Sequence, residues 1–338
     1  MLARLGKDAA FAEAVLRRQP FSALVQVTNR CNLRCSFCDF WRHPAPPRDE
    51  LTVADYERVA DELAVHGCFL VSIEGGEPLL RDDLPGIVRA FARGHLPVLF
   101  TSGWHVTPAV ARELWAAGLH QAGVSIDFPD AARHDAKRGA PGTFDRAWSA
   151  VDTLRDTAPR GPKQVFVMTV IMAANHEAME TMLLQSRARR VGHQVTLINV
   201  SGTRRAHGEG DALPPPEAGP AMVALHRRYP HLAFFEDYFA RMESFLSGGA
   251  MPTCTAGQQG LNLDHLGNVA TCIETIGSPV GNVRTEPVGS LLAKLRAKRA
   301  EVAGCQDCWT ACRGFQQALR DGGTLAAWRE LGSRMRPY

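Results

Sequence analysis

The chain has 338 residues, of which 45% are hydrophobic and 22% charged, and its formal net charge is +3. This composition is that of a globular protein and excludes disordered and fibrous classes. The length suffices for one large α/β domain and a smaller module. The weak charge, without a run of Lys or Arg, argues against a nucleic-acid partner. No apolar run reaches the ~20 residues that cross a bilayer, so we expect a cytoplasmic protein with no membrane partner.

The N-terminal part of the chain repeats one pattern, in which a short β-branched run is followed by a polar turn and a helix-period stretch. Residues 1–20 alternate charge with Ala and Leu, which predicts a short surface helix rather than a signal peptide. A helix is predicted over 52–66, with Thr52 as its N-cap and Gly67 as its stop. Six βα units in succession predict parallel strands with crossover helices, wound open or curled into a barrel. The predicted strands are 23–27, 69–73, 97–101, 122–126, 165–171 and 195–200.

The pattern ends after Ser201. Residues 202–220 are rich in Gly, Pro and charge, and predict a boundary loop. A helix over 221–229 and an aromatic segment over 234–245 follow, the latter serving either as a lid or as core. Cysteine spacing dominates beyond them, and a last helix is predicted over 324–334. We therefore predict an N-terminal helix (1–20), a barrel domain (21–215) and a C-terminal part with a linker helix, a cysteine-rich module and a closing helix (216–338).

Eight of the nine cysteines fall into two groups, and in a reducing compartment grouped cysteines indicate metal sites rather than disulfides. Cys31, Cys35 and Cys38 lie within eight residues, directly after the first predicted strand. Three such thiolates can hold three irons of a cubane cluster and leave the fourth iron open to the amino and carboxylate groups of a methionine moiety. The alternative is a zinc site, which usually takes four protein ligands. Cys68, outside both groups, is predicted to be a buried small hydrophobe.

The CxxxCxxC motif formed by these cysteines resembles the signature of the radical S-adenosylmethionine (SAM) superfamily, with the aromatic Phe37 before the third cysteine. The second predicted strand ends in a motif that matches the superfamily's GGEP. The resemblance covers about residues 21–201 and implies an α/β fold, a partial (β/α)6 TIM-type barrel that binds ligands at the C-terminal ends of its strands. The GGEP residues are Gly75, Gly76, Glu77 and Pro78.

The resemblance also implies cofactors and a reaction. A [4Fe–4S] cluster would sit on the three cysteines and SAM on its open iron. An external electron donor such as flavodoxin or ferredoxin would reduce the cluster. Reductive cleavage of SAM would then give a 5′-deoxyadenosyl radical that abstracts a hydrogen atom from the substrate, while the protein orients the reactants and excludes competing hydrogen donors.

Further residues match positions that contact SAM in the superfamily. The GGEP glycines are expected to let the backbone approach the ligand, and Glu77 to accept a hydrogen bond from the SAM amino group. Ser102 closes the third strand, where the superfamily often has a polar residue near SAM; the alternative is a turn hydroxyl. Ser125 and Asp127 resemble the Ser-x-Asp pair that contacts the SAM ribose and carboxylate. Arg138 would partner the SAM carboxylate, and the alternative is a surface arginine.

The second group comprises five cysteines in the C-terminal third. Cys254 and Cys272 flank a hairpin predicted around Gly267, and three more cysteines follow in CQDCWTAC. The arrangement resembles the SPASM module of the superfamily and its shortened form, twitch, and implies one auxiliary [4Fe–4S] cluster. Cys312 is then surplus, a substitute ligand or a hydrogen-atom donor. A zinc ribbon is the alternative for the whole module. Since four thiolates saturate a cubane, the predicted ligands are Cys254, Cys272, Cys305 and Cys308.

Several functions are compatible with these motifs. The leading hypothesis is the dehydrogenation of a small natural product or cofactor precursor, with the auxiliary cluster as electron acceptor, because a fully ligated cluster offers no open iron to a substrate. The alternatives are a maturase of ribosomal peptides and an epimerase that uses Cys312 as hydrogen donor. Only 30 residues precede Cys31, too few for a leader-binding domain, which lowers the expectation of a peptide maturase. The intact SAM motifs argue against a non-catalytic iron–sulfur carrier. No catalytic acid or base is identified.

Overall fold

Six parallel strands and their connecting helices form the N-terminal part of the fold. The structure, a computed structural model, describes residues 2–159, 164–202, 211–321 and 330. Each strand pairs in parallel with the next along the chain, which confirms the predicted α/β fold. The strands are β1 (Ser22–Thr28), β2 (Leu70–Gly75), β3 (Leu96–Thr101), β4 (Gln121–Ser125), β5 (Val165–Ile171) and β6 (Gly192–Leu197).

Five of the predicted strands agree with the observed ones to within two residues at each end, and β6 does not. It begins at Gly192 instead of residue 195, because His193 belongs to the strand although its polarity resembles that of a turn residue. His193 is fully buried. Its ring nitrogens lie 3.0 Å from Thr169 Oγ1 and 3.0 Å from Ser186 Oγ. These hydrogen bonds make the burial of a polar ring tolerable inside a strand.

The helices of this part pack largely on the outer face of the sheet. The helix predicted over 52–66 is confirmed. Thr52 Oγ1 accepts from Asp55 N at 3.2 Å, and the Asp55 carboxylate accepts from Thr52 N at 2.9 Å, so a capping box begins it. Gly67 follows its end with φ +129°. The helices are α1 (Leu2–Leu16), α2 (Val53–Ala64), α3 (Leu84–Ala92), α4 (Pro108–Ala116), α5 (Ala131–Arg138), α6 (Thr143–Thr157) and α7 (Met179–Ala188).

The predicted N-terminal helix is present as α1, and one of its faces is buried. Phe11, Ala14 and Val15 pack into an apolar cluster that also contains Phe21 and Cys68. Cys68 is 4% exposed, as expected for a buried hydrophobe. Among the helices of the described ranges, none combines the length and the apolar character needed to cross a bilayer.

The C-terminal part continues the same sheet. Strand β7 (Gly260–Leu263) pairs in parallel with β1, with Ser22 opposite Gly260 and Val25 opposite Leu263. Strands β8 (Asn268–Ala270) and β9 (Gly281–Asn282) then add in antiparallel fashion, so the order is β6-β5-β4-β3-β2-β1-β7-β8-β9. The predicted hairpin is confirmed, and Gly267 turns it with φ +92°, a conformation that glycine adopts without strain. The helices are α8 (Ala218–Arg228), α9 (Glu236–Leu246), α10 (Val288–Ala297), α11 (Arg299–Ala303) and α12 (Ala311–Asp321).

The aromatic segment over 234–245 is core rather than a lid. Phe234, Phe235, Tyr238 and Phe239 are all buried, and they pack with the indole of Trp309. The indole Nε1 donates to Tyr238 O at 2.9 Å, which ties the start of the last cysteine segment to α9. The helix predicted over 324–334 lies outside the described residues except for residue 330.

Candidate active site

A central cavity of about 750 Å³ occupies the concave side of the sheet. Its wall is built by every second residue of the strands, as expected where alternate side chains point to opposite faces. The intervening residues, such as Val25 and Ile73, pack outward in the core shared with the helices. The strand residues that line the cavity include Ser22, Leu24, Leu70, Ser72, Glu74, Leu96, Val98, Phe100, Met168, Val170, Gln194 and Thr196.

The three cysteines of the CxxxCxxC motif all line this cavity, in the loop after β1. The loop is tied to the end of α5, because Arg34 N and Ser36 N donate to Arg138 O and Lys137 O at 3.1 and 3.2 Å. Leu33, Phe37, Phe128, Met172 and Ile198 form an apolar cluster around the cysteines.

Burial raises the pKa of the Cys31 thiol to about 11 and that of Cys35 to about 12, because a thiolate loses solvation in these surroundings. The guanidinium of Arg138 opposes this increase at both thiols. Sulfur donors in such a pocket need a positive group to bind in their charged form. The donor set therefore fits a thiophilic iron cluster.

The glycines of the GGEP motif bring the end of β2 against the start of the cysteine loop. Gly76 N donates to Thr28 O, and Glu77 N to Arg30 O, both at 2.8 Å. Gly75 has φ +150°, and a Cβ at either glycine would overlap one of those two carbonyl oxygens. Both glycines also line the central cavity. The close approach that requires glycine is thus to the backbone of the cysteine loop, while the approach to a ligand stays a prediction.

The carboxylate of Glu77 is buried and does not line the central cavity. Its Oε1 accepts from Leu79 N at 3.1 Å and from Thr101 Oγ1 at 2.7 Å. Its Oε2 accepts from Ser102 N at 2.8 Å and from Ser102 Oγ at 2.5 Å. The side chain thus joins the ends of β2 and β3, and its predicted contact with a SAM amino group stays a prediction. Pro78, which follows it, also lies outside the cavity lining.

Asp127 and Arg138 form a buried ion pair beside the first cysteine group. Asp127 Oδ2 accepts from Arg138 Nε at 2.8 Å and from Nη2 at 2.6 Å, and Oδ1 accepts from Val170 N at 3.0 Å. The guanidinium carbon lies 5.3 Å from the centre of the Phe37 ring, a cation–π arrangement. Arg138 and Phe37 line the cavity, and Asp127 does not. Arg138 is 8% exposed, so it is not a surface arginine.

Ser102 and Ser125, the two remaining predicted contacts, both line the cavity. The hydroxyl of Ser102 is directed to Glu77, as described above. Its environment therefore combines a structural hydrogen bond with exposure to the cavity.

Three of the five cysteines in the second group line the central cavity. Cys272, Cys308 and Cys312 line the same cavity as the first group, whereas Cys254 and Cys305 do not. The thiol of Cys308 interacts electrostatically with those of all four other cysteines of the group, Cys254, Cys272, Cys305 and Cys312. Thr310 Oγ1 lies 3.0 Å from Cys312 Sγ. The thiol of Cys305 also lies 3.7 Å from a carboxylate oxygen of its neighbour Asp307.

Burial raises the pKa of all four thiols for which a shift is resolved in this group, and that of Cys312 rises to about 12. As with the first group, soft donors in apolar surroundings fit an iron–sulfur cluster. Within the described ranges, no three His, Cys, Asp or Glu side chains converge on a point that would hold a single metal ion.

Glu74 and Asn199 are among the polar residues of the cavity wall that were not predicted from the sequence. Glu74 lies on β2 two residues after Ser72, so the period of two could have identified it. Asn199 lies after the end of β6, where no periodicity marks it. Asn199 is 5% exposed, and its Oδ1 accepts from Ser201 N at 3.3 Å and Ser201 Oγ at 3.1 Å. Its Nδ2 has no hydrogen-bond partner among the described residues.

Comparison with protein families gives a match of residues 25–184 to the Radical SAM superfamily model. An AdoMet-dependent heme synthase of Nitratidesulfovibrio vulgaris is 33% identical over 132 residues, which is 39% of this chain and 36% of that protein. The chain thus matches little more than a third of the length of that relative. A PqqA peptide cyclase of Xanthomonas campestris pv. campestris is 28% identical, and the match covers 90% of this chain and 85% of that protein.

The fold also resembles solved structures. One described as "Native anSMEcpe with bound AdoMet" superposes with a TM-score of 0.63 at 14% identity, covering 94% of this chain and 98% of that chain. At such low identity the likeness concerns the fold alone. It agrees with the partial (β/α)6 barrel predicted from the sequence.

Proposed function

We propose that this chain, whose residues 25–184 match the Radical SAM superfamily model, is a radical SAM enzyme that carries out a two-electron oxidation of a residue within a peptide. Membership implies a [4Fe–4S] cluster and SAM. The observation that carries the proposal is that one cavity is lined by cysteines of both groups. A substrate group bound between them can lose a hydrogen atom on one side and an electron on the other.

We propose Cys31, Cys35 and Cys38 as the ligands of the SAM-binding cluster. Gly75, Gly76, Ser102, Ser125 and Arg138 form the adjacent wall and would hold SAM. Bound there, the cluster and SAM would supply a 5′-deoxyadenosyl radical that removes a hydrogen atom from the substrate. The apolar cluster around the loop would exclude water and competing donors from that reaction.

We propose that the C-terminal cysteines hold one auxiliary cluster, which would supply an electron acceptor. Cys254, Cys272 and Cys308 belong to both ligand sets under consideration. The sequence spacing favours Cys305 as the fourth ligand, and the arrangement of the thiols favours Cys312. Cys312 shares the cavity wall with Cys272 and Cys308, whereas Cys305 does not line the cavity. We therefore propose Cys312 as the fourth ligand.

Variants of these two cysteines distinguish the two ligand sets. After anaerobic reconstitution the wild type should contain about eight irons per chain, four for each cluster. Cys312→Ser should lose about half of them, while Cys305→Ser should keep nearly all, and Cys68→Ser serves as the control outside both groups. Alkylation followed by mass spectrometry should label Cys305 in the reconstituted protein and spare Cys312. The opposite pattern would restore the set predicted from spacing.

A peptide substrate is supported by the near full-length similarity to the PqqA peptide cyclase. The cavity volume of about 750 Å³ lies in the usual range of small-molecule pockets, roughly 300–1,000 Å³. Since SAM must share it, the space left suits one or two side chains, with the rest of a peptide outside. A small natural product would fit the same space and is the alternative substrate class.

The oxidation is tested by the stoichiometry and isotopes of the product. Peptides encoded beside the gene would be incubated with the reconstituted enzyme, SAM and dithionite. We expect a product lighter by two hydrogen atoms, formed with about one 5′-deoxyadenosine per turnover. A triple Cys31/Cys35/Cys38→Ala variant should form neither the oxidised peptide nor 5′-deoxyadenosine. A peptide product with the same oxidation level as the substrate would refute the proposed oxidation.

Epimerisation is the second candidate, because the Cys312 thiol lines the cavity where a substrate radical would form. In that case Cys312 would donate a hydrogen atom. The product formed in D2O would then carry one deuterium and keep the substrate's oxidation level. Incorporation that Cys312→Ser abolishes, together with full iron content in that variant, would support epimerisation over oxidation.

A further inference from the structure

A second cavity, of about 580 Å³, lies on the C-terminal part of the protein and is lined by four arginines. We call it the arginine pocket. Its charged residues come from four separate segments, which are the turn after α1, the ends of α10 and α12, and the start of α11. All four arginines are exposed. The lining residues are Arg18, Thr253, Cys254, Thr255, Gln258, Gln259, Arg296, Arg299 and Arg320.

The lining of this pocket contains positively charged side chains and no Asp or Glu. Several exposed arginines elsewhere pair with a carboxylate, as Arg93 does with Asp61 at 2.8 Å and Arg133 with Asp130 at 2.7 Å. In the described residues, Arg18, Arg296 and Arg299 take part in no ion pair. Unpaired guanidinium groups of one sign in one concavity focus a positive potential, which attracts an anionic partner.

The turn after α1 places Arg18 at the pocket. Its φ is +55°, in the left-handed region where glycine or asparagine usually follows a helix. The position is fixed by Arg18 N donating to Val15 O at 3.0 Å and by Gln19 N donating to Ala14 O at 2.9 Å. A side chain other than glycine costs free energy in this conformation. The sequence nevertheless has an arginine here, which adds to the charge of the pocket.

Cys254 connects the arginine pocket with the central cavity. Cys254 lines the arginine pocket, and its thiol interacts electrostatically with that of Cys308, which lines the central cavity. A redox group held by these two cysteines would lie between the substrate on one side and the arginines on the other. A redox protein bound at the arginines could exchange an electron with that group, whereas a small oxyanion could not.

We propose that the arginine pocket is the docking site of an acidic one-electron carrier protein, such as a flavodoxin. The inference rests on the proposed oxidation, in which the substrate radical loses one electron and one proton. The oxidised carrier takes up the electron and the proton passes to solvent, and no bond to the carrier forms. Carboxylates around the carrier's redox group would face the arginines, and such charge complementarity speeds encounter and sets orientation. Redox complexes of this kind are small and transient.

The test is binding rather than turnover. Oxidised flavodoxin is titrated into the reconstituted enzyme by calorimetry at low and high salt. We compare the wild type with Arg296→Glu/Arg299→Glu and with the control Arg89→Glu/Arg112→Glu. The control reverses two exposed arginines of α3 and α4 that line neither cavity, so the change in net charge is the same. We expect the pocket variant to raise the Kd at least about tenfold and the control to raise it less than about twofold. Added salt should weaken the wild-type complex.

Several results would overturn the docking site. Equal losses in the two variants would show attraction to net charge alone. Unchanged affinity in the pocket variant would place the carrier elsewhere, and saturable binding of inorganic phosphate without flavodoxin binding would indicate a small-anion site. Failure of the wild type to oxidise a substrate with dithionite would refute the proposed oxidation instead. The titration does not depend on turnover, so the two failures are distinguishable.

Discussion

The substitution Glu77→Gln tests whether this carboxylate belongs to the framework of the protein. Each of its two oxygens accepts from one backbone N–H, of Leu79 at 3.1 Å and of Ser102 at 2.8 Å. A glutamine amide offers one accepting oxygen and one NH2 group that only donates. Either orientation of the amide therefore sets the NH2 group against a buried backbone donor. The hydroxyls of Thr101 and Ser102 can rotate to accept, but the two N–H groups cannot.

The expected loss of stability follows from that count. One backbone N–H loses a charged acceptor and is left unsatisfied in a buried position, which costs about 2–3 kcal/mol. With a urea dependence of roughly 3 kcal/mol per molar, the unfolding midpoint should fall by about 1 M. The substitution Thr101→Val removes the hydroxyl that donates to Glu77 Oε1 and accepts from Gly103 N at 3.0 Å, and should cost about 2 kcal/mol.

Urea unfolding of the protein without cofactors, followed by circular dichroism, measures this loss. Glu74→Gln is the matched control, since Glu74 lies on β2 just before Glu77 and lines the central cavity. Its effect on the midpoint should be small. A normal midpoint for Glu77→Gln combined with weakened SAM binding would refute the structural role. It would show that Glu77 acts mainly on the ligand, as the motif alone predicts.

Three further predictions concern residues around the first cysteine group. Burial lowers the pKa of His134 to about 4, and its Nδ1 accepts from Asp127 N at 3.2 Å. The stability that this neutral ring contributes above the unfolded pKa of about 6.5 is lost as the pH falls, and the free energy of unfolding should drop by about 2 kcal/mol between pH 7 and pH 5. In His134→Asn, the free energy of unfolding measured at both pH values should change less. Arg138→Lys loses the two-pronged pairing with Asp127 and should cost about 2 kcal/mol in thermal unfolding. Gly76→Ala would press its Cβ onto Arg30 O, so its iron content after reconstitution should fall well below that of the wild type.

Local signals in the sequence were enough to predict most of the fold. The β-branched runs, the Thr52 cap and the glycine of the hairpin each act within a few residues, and all three predictions are confirmed. The displacement of β6 has a different origin, because His193 is polar and its partners Thr169 and Ser186 are distant in sequence. No short window of sequence contains that information.

The site is predictable in kind and not in detail. The motif spacing identified both cysteine groups, but in CQDCWTAC nothing distinguishes Cys305 from Cys312. The difference arises because α12 begins at Ala311 and its first turn directs Cys312 to the central cavity. The ion pair of Arg138 with Asp127 and the bonds of Glu77 likewise depend on tertiary contacts between strand ends. Resemblance alone assigns all three residues to the ligand.

Strand β1 explains why the two cysteine groups face the same cavity. The first group follows its C-terminal end, and on its other side β7 pairs with it in parallel, so the hairpin that leads to Cys272 extends the same sheet. The pairing is close enough that a Cβ on Gly260 would overlap Ser22 O. Because a hydrogen-bonded ladder runs from β1 to the hairpin before Cys272, the separation of Cys272 from the first group is set by strand geometry rather than by a flexible linker. In the proposed oxidation, a substrate radical formed beside the first group would therefore lie at a distance from Cys272 that the sheet determines.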